Sequence, residues 1–341
     1  MKKNILAVAA AAVAATLALT GCVQGEGTPA VAENPSEGGW SATTLNIDFA
    51  TYNPLSLIIK DQGWLEEALG DDVTVNWVQS AGSNKANEAL RAGAIDVGST
   101  AGSAALLARS NGSPIKVIDI YSQPNWAAIL VPADSRISSV EELKGKHIAA
   151  TKGTDPYFFL LQTLEEHGLT LDDVVVENLQ HADGKAAIEA GAVDAWSGLD
   201  PLLSTSVANG ASKIIYDNID FNSYGFLNAT EDFIENHADL AQLVVNAYEK
   251  ARAWAVENPE ETAAILAEVA GIDIEIATAV IADRTNLEVD PVPGQAQLDV
   301  LAIIGPVFVE SGDVPNQGAI DDALASLLEP KFAKAADPSA L

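Results

Sequence analysis

The sequence predicts a mixed α/β protein folded as two lobes around a central cleft. Three observations carry that reading. Short β-branched runs alternate with helical stretches through most of the chain, the pattern of strands covered by helices. The alternation falls into two sets, with Ser122-Gln123-Pro124-Asn125 and residues 217–224 as the segments that cross between them. The chain has 341 residues, 48% of them hydrophobic, and single cores stop growing at about 250–300 residues. Sheets of this kind are expected to be mainly parallel and covered on both faces.

In chain order, Lys2 and Lys3 precede an uncharged apolar run over residues 5–19. That run falls short of the roughly 20 residues that span a bilayer and suits the core of a signal peptide. It ends in Leu19-Thr20-Gly21-Cys22, and Cys22 is the single cysteine. The segment resembles a bacterial lipobox. Residues 1–21 are therefore expected to be removed and Cys22 lipidated, its acyl chains holding the protein to the outer face of the cell membrane at about 0.8 kcal/mol per buried CH₂. Residues 22–42, rich in Gly, Glu, Pro, Ala and Ser, read as a flexible tether.

The body begins with Leu45-Asn46-Ile47-Asp48-Phe49, whose alternation predicts a strand. Asn53-Pro54 opens a helix as N-cap and first helical residue. Strands are expected at 73–78, 94–99 and 115–121, with helices at 84–92, closed by Gly93, and at 103–110. In the second set, strands are expected at 127–131, 147–151, 174–179, 192–196 and 213–216. Ser139-Val140-Glu141-Glu142 reads as a capping box. Asp155-Pro156 opens a helix ending at Gly168, residues 183–190 form another, and Asp200-Pro201 opens a third. Residues 238–328 are mostly helical, with Asn258-Pro259 starting one helix and Pro291 and Pro293 breaking the run. Lobe one then comprises residues 43–124 plus 222–330, lobe two comprises 125–221, and 331–341 form a C-terminal tail.

Open α/β sheets bind ligands beyond the carboxyl ends of their strands. Three such ends, at Thr51-Tyr52-Asn53, Thr154-Asp155 and Asp200, lead into Asx-Pro helix starts, whose free N–H groups carry about half a positive charge. Small-residue loops add donors at Gly82 and Ser83, at Ser99 and Thr100, and at Lys152-Gly153-Thr154. Tyr52, Trp126, Trp196 and Tyr224 are the candidate cleft walls, whereas Phe158 and Phe226 are expected in the core. A carboxylate at Asp155 caps its own helix in this reading. Together with Asp200 it would favour a zwitterion, ammonium to carboxylate and acid group to helix N–H groups or Lys152.

The same residues argue against other classes. With 18 basic and 48 acidic side chains the net charge is −30, which excludes nucleic acid as a partner. One cysteine excludes an internal disulfide and a Cys-cluster zinc site. No H-E-x-x-H and no G-x-S-x-G occurs, and structural roles suffice for His147, His167, His181 and His237. No metal, no cofactor and no catalytic residue is expected.

Val131-Pro132-Ala133-Asp134-Ser135-Arg136-Ile137, Val140-Glu141-Glu142-Leu143-Lys144-Gly145-Lys146 and Lys152-Gly153 resemble the solute-binding proteins of ABC importers in the aliphatic sulfonate, taurine and nitrate group. So do residues 187–196, Asp200-Pro201, Asn53-Pro54, Gly63 and residues 92–98. The resemblance implies a periplasmic-binding-protein-like fold of type II, a monomer that closes on its ligand like a trap. Its partners would be a small-molecule solute, an ABC permease with its ATPase, and the membrane through the lipid anchor. The expected cargo is a small organic sulfonate or taurine-like solute. The alternatives are nitrate, bicarbonate or a thiamin-related pyrimidine, an enzyme on the same fold, or a surface protein without a working cleft.

Overall fold

The computed structural model describes residues 39–341; the expected signal peptide, the lipobox and Cys22 lie outside the described residues. Five strands form a first sheet: β1 (Thr44–Phe49), β2 (Thr74–Gln79), β3 (Val97–Ala101), β4 (Ile115–Ser122) and, after an excursion through the second sheet, β10 (Gly225–Thr230). The second sheet is contiguous in sequence: β5 (Ala127–Pro132), β6 (His147–Ala150), β7 (Val175–Asn178), β8 (Ala195–Leu199) and β9 (Ser212–Tyr216). The strand orders are β2-β1-β3-β10-β4 and β7-β6-β8-β5-β9.

The expectation of mainly parallel sheets holds for three strands of each. β1 runs parallel to β2 and β3, and β6 to β7 and β8. The fourth strand in each order, β10 or β5, is antiparallel to both neighbours. Both are the first strands after a crossing. A strand that enters from the other sheet has no βα crossover to turn it round, so it inserts against the local direction. β10 is also a strand that sequence reading missed. Gly225-Phe226-Leu227-Asn228-Ala229-Thr230 is buried along most of its length and lacks the alternation of a half-exposed strand.

The Asx-Pro helix starts are largely as expected. Asn53 caps Pro54–Gln62 by accepting from the Ser56 N–H at 3.4 Å. Thr154 is the N-cap of Asp155–Glu166, so Asp155 lies inside the first turn rather than capping it. Leu202–Ala208 begins just after Asp200, whose Oδ1 accepts from the Ser204 N–H at 3.0 Å. The capping box predicted at Ser139 shifts by one residue: Glu142 accepts from the Ser138 N–H at 2.7 Å, and the helix is the short 3₁₀ turn Glu141–Leu143.

The C-terminal helices pack onto the first sheet. Arg252, in the helix Ala238–Glu257, donates to the carbonyls of Ile120, Tyr121 and Leu287, tying the end of β4 to the segment that follows the helices Pro259–Ala270 and Ile274–Ala279. That segment includes the π-helical turn Val280–Arg284, a form that recurs at functional positions. Both ends of the described chain are docked more firmly than the sequence reading of tether and tail suggests. Ala42 is buried, and the Ser41 N–H donates to Asp239 Oδ2 at 2.9 Å. Phe332 is buried in the helix Lys331–Lys334. Among the described residues no helix is long and apolar enough to cross a membrane, and no group of three or more His, Cys, Asp or Glu could hold a metal ion.

Candidate functional site

The carboxyl ends of both sheets converge. Tyr52, from the loop after β1, meets Trp126, which precedes β5, ring edge to face at 6.1 Å and 86°. Asp200, after β8, lies beside them. Together with Thr51 and Arg284 these side chains line a cavity of about 10 Å³, room for about one water. Its walls thus come from both lobes, from the crossing and from the C-terminal helices. Arg284 had no sequence signal, since nothing in Asp283-Arg284-Thr285 marks a ligand contact. The π-helical turn places its guanidinium against the Asp200 carboxylate and at 3.3 Å from Asp217 Oδ2. Burial raises the Asp200 pKa, and the Arg284 charge opposes that rise. Arg284 Nη2 is buried without a hydrogen-bond partner.

A second junction centres on Asp155. Its carboxylate, buried between the lobes, accepts from Ser103 Oγ, from Trp126 Nε1 at 2.8 Å, and from Ser223 through both N–H (2.8 Å) and Oγ (2.7 Å). Burial raises its pKa; the bonds from Ser103, Ser223 and Trp126 pull it back down. Asp155 therefore locks the helix start of one lobe to the helix start and crossing segment of the other. Neither this carboxylate nor Asp200 is left open to an ammonium, contrary to the sequence reading, because donors of the protein already engage both.

The other predicted residues divide. Asn53 and Ser83 act inside lobe one: Asn53 Nδ2 donates to Tyr248 OH at 3.0 Å, and Ser83 Oγ accepts from the Ala101 N–H at 2.9 Å. Thr100 Oγ1 is engaged by the Ala101 carbonyl and by Asn228 Nδ2, both at 2.9 Å. Tyr224 is half-buried, and its carbonyl accepts from the Gly102 N–H at 2.8 Å. Lys152 is exposed, with Nζ 5.5 Å from the centre of the Tyr157 ring. Thr154 Oγ1 donates back to the Thr151 carbonyl at 2.7 Å. Trp196 lies in the core of the second sheet with Leu130, Ile188 and Leu203, and a Cβ on Gly184 would meet its Nε1 at 2.7 Å. A tryptophan on a strand between two helix-covered faces packs inward, and that is where Trp196 goes. Gly82 and Gly153 both approach Asn84, at the start of the helix Ser83–Arg91.

Ser99 and Tyr52 share a network that the sequence did not signal. Ser99 donates through N–H (2.9 Å) and Oγ (3.1 Å) to Asp48, and Tyr52 OH donates to the Ser99 carbonyl at 3.0 Å. Burial pushes the Asp48 carboxyl up to about 7. The folded state therefore keeps a proton that the unfolded chain loses near its ordinary value of 3.8. The stability this group contributes is full below that value and falls as pH rises to about 7, by up to about 4 kcal/mol at 1.36 kcal/mol per unit. Asp48→Asn should flatten that fall. Urea unfolding of both proteins at pH 5 and pH 8 checks it, and equal losses in the two would remove Asp48 from the account.

Two sheets of like order, joined by two crossings and meeting at their strand ends, define a periplasmic-binding-protein fold, with the candidate site between the lobes. The NMT1/THI5 like family model matches residues 56–262, and the chain belongs to that family. A Bacillus subtilis (strain 168) relative named aliphatic sulfonates-binding protein is 32% identical over 70% of this chain and 72% of its own length. One of the same name from Escherichia coli (strain K12) is 28% identical over 70% of this chain and 75% of its own. The crystal structure of the periplasmic aliphatic sulphonate binding protein SsuA from Escherichia coli superposes with a TM-score of 0.71 at 26% identity, covering 85% of this chain and 93% of that one.

Proposed function

We propose that the chain is the extracytoplasmic solute-binding component of an ABC importer and captures a small organic sulfonate between its lobes. In this reading residues 1–21 are a signal peptide, Cys22 carries the lipid anchor, and the residues from there to the docked Ser41 give the body reach from the membrane. A membrane permease with its ATPase receives the cargo. The observation that carries the reading is the grouping of Tyr52, Trp126 and Arg284 around one interlobe cavity. The edge-to-face pair of Tyr52 and Trp126 offers an apolar wall to a short carbon chain once the lobes part, since the cavity as it stands admits about one water, and the unpartnered Nη2 of Arg284 supplies a charged donor for an anionic head. Kinship with proteins named for aliphatic sulfonates points the same way. Binding rather than turnover fits a site whose carboxylates, Asp155 and Asp200, are engaged by protein donors.

Thermal unfolding of the purified protein with alkanesulfonates, taurine, nitrate, bicarbonate and pyrimidines tests this. A sulfonate at 100 times its dissociation constant should add about 2.7 kcal/mol of stability. A shift with nitrate or a pyrimidine and none with any sulfonate would reassign the cargo, and turnover of a bound compound would make the protein an enzyme.

A further inference from the structure

The helix Asp155–Glu166 of lobe two packs against the helix Gln295–Glu310 of lobe one, Phe158 meeting Phe308 with ring centres 4.2 Å apart. Outside that contact the two helices leave an open groove. It consists of two adjoining hollows of about 370 and 450 Å³, which share Glu165, Val307 and Glu310. Its floor is apolar, with Leu161 and Leu164 from one lobe, Val307 from the other and Phe221 from the second crossing. Ala302, Ile303 and Pro306 form one exposed face of the helix Gln295–Glu310 beside it. Ile303 is 69% exposed, the highest value for a large hydrophobic among the described residues. Pro306 has no N–H, so the Ala302 carbonyl one turn earlier lacks its helical donor. Grouped apolar exposure with a polar rim marks an interaction surface.

The rim sets the charge of the partner. Glu165, Glu166, Asp172 and Glu310 line the two hollows, and no lysine, arginine or histidine does. The Tyr216 hydroxyl donates to Glu166. Glu165, Asp172 and Glu310 form no ion pair among the described residues. Glu165, Glu166 and Glu310 also stand in the last turns of their helices, where the dipole disfavours acid and favours a cation. Acid held there against local preference, around an apolar floor, complements a cationic segment and repels an anionic lipid surface.

We propose that this groove docks the permease of the importer. An extracytoplasmic loop seats an apolar side chain against Ile303 and Val307, lays lysine or arginine along Glu165 and Glu310, and offers a donor to the Ala302 carbonyl. The inference rests on the importer reading above and is independent of the cargo. One wall of the groove belongs to each lobe, so rotation of the lobes changes its width. That suits a partner that must tell a loaded receptor from an empty one.

Binding of the purified protein to the importer's permease–ATPase complex in nanodiscs tests it. Glu165→Lys/Glu310→Lys and Ile303→Asp should each weaken docking ten-fold or more, and rising salt should weaken docking of the unaltered protein. The thermal shift that cargo produces should stay unchanged in both variants, which shows them folded and competent. Asp61→Lys/Glu67→Lys, the same charge change on the exposed side of the helices Pro54–Gln62 and Trp64–Leu69, should leave docking as it was. Undiminished docking in Glu165→Lys/Glu310→Lys and Ile303→Asp, or an equal loss in Asp61→Lys/Glu67→Lys, overturns the groove and leaves the importer reading standing. Self-association that disappears in Ile303→Asp while docking persists gives the groove to a second copy of the chain and overturns the permease. An unaltered protein that binds no such complex overturns both readings.

Discussion

Arg284→Met should destabilise the protein by about 3–5 kcal/mol and abolish measurable sulfonate binding. The stability loss comes from the group left behind. Asp200 is 5% exposed, and without Arg284 its carboxylate keeps the Ser204 N–H but loses its counter-charge. Removing one member of a buried pair is costly because the other stays desolvated and unpaired. The binding loss has a separate origin. Arg284 holds Asp200 and Asp217 through Nε and Nη1, so Nη2 is the atom free to meet an anion, and a hydrogen bond to a charged group contributes about 1.5–3 kcal/mol. The double variant Arg284→Met/Asp200→Leu separates the two effects. Urea unfolding should recover most of the lost stability, since an apolar pair of similar volume replaces an ion pair without net penalty. Titration with the best sulfonate should still show no binding. Recovery of binding in the double variant would mean that Arg284 serves only to neutralise Asp200.

At the other junction, Asp155→Ala should cost about 2–5 kcal/mol, whereas Asp155→Asn should cost far less. The carboxylate receives two kinds of donor. Trp126 Nε1 and Ser223 N–H cannot reverse their role, while the hydroxyls of Ser103 and Ser223 can rotate and accept. An asparagine can turn its carbonyl oxygen to the two fixed N–H groups and its amide N–H to the two hydroxyls, so every polar atom keeps a partner. Alanine leaves the indole and peptide N–H groups buried and unmet, at about 1–3 kcal/mol each. Loss of the charge is itself favourable at a site where burial already raises the carboxyl pKa. Chemical unfolding at neutral pH checks the order, and an asparagine variant as unstable as alanine would show that the ionised form is required.

The reach of sequence reading follows from the range of each interaction. Asn53-Pro54 and Asn258-Pro259 are legible as helix starts because a proline in the first helical turn, joined at Asn53 by a side-chain cap, is settled within a few residues. The Asp155-Pro156 helix is legible too, yet the partners of Asp155 are not. Three of its four bonds come from Ser103 and Ser223, 52 and 68 positions away, and no local pattern encodes them. Trp196 illustrates the limit from the other side. A large aromatic at the end of a predicted strand fits a cleft wall or a core equally well, and only the helix carrying Gly184, packed over it, decides for the core. Arg284 was invisible because a lone charge in a helical stretch reads as solvated surface until the opposing Asp200 is in place. The buried strand β10 escaped for a related reason, since a strand covered on both faces has no alternation to betray it.

That strand governs the order in which the protein can assemble. β5 to β9 are consecutive, so the second sheet holds all its members once residue 216 has been made. The first sheet does not, because β4 pairs with the rest of its sheet only through β10. Until residues up to 230 have emerged, β3 and β4 each present a bare edge of backbone donors and acceptors with no mate. The later-born half of the molecule is thus the first able to close. The earlier-born half waits, adhesive, for a strand delivered from beyond it, and must be kept from pairing with strangers in the interval.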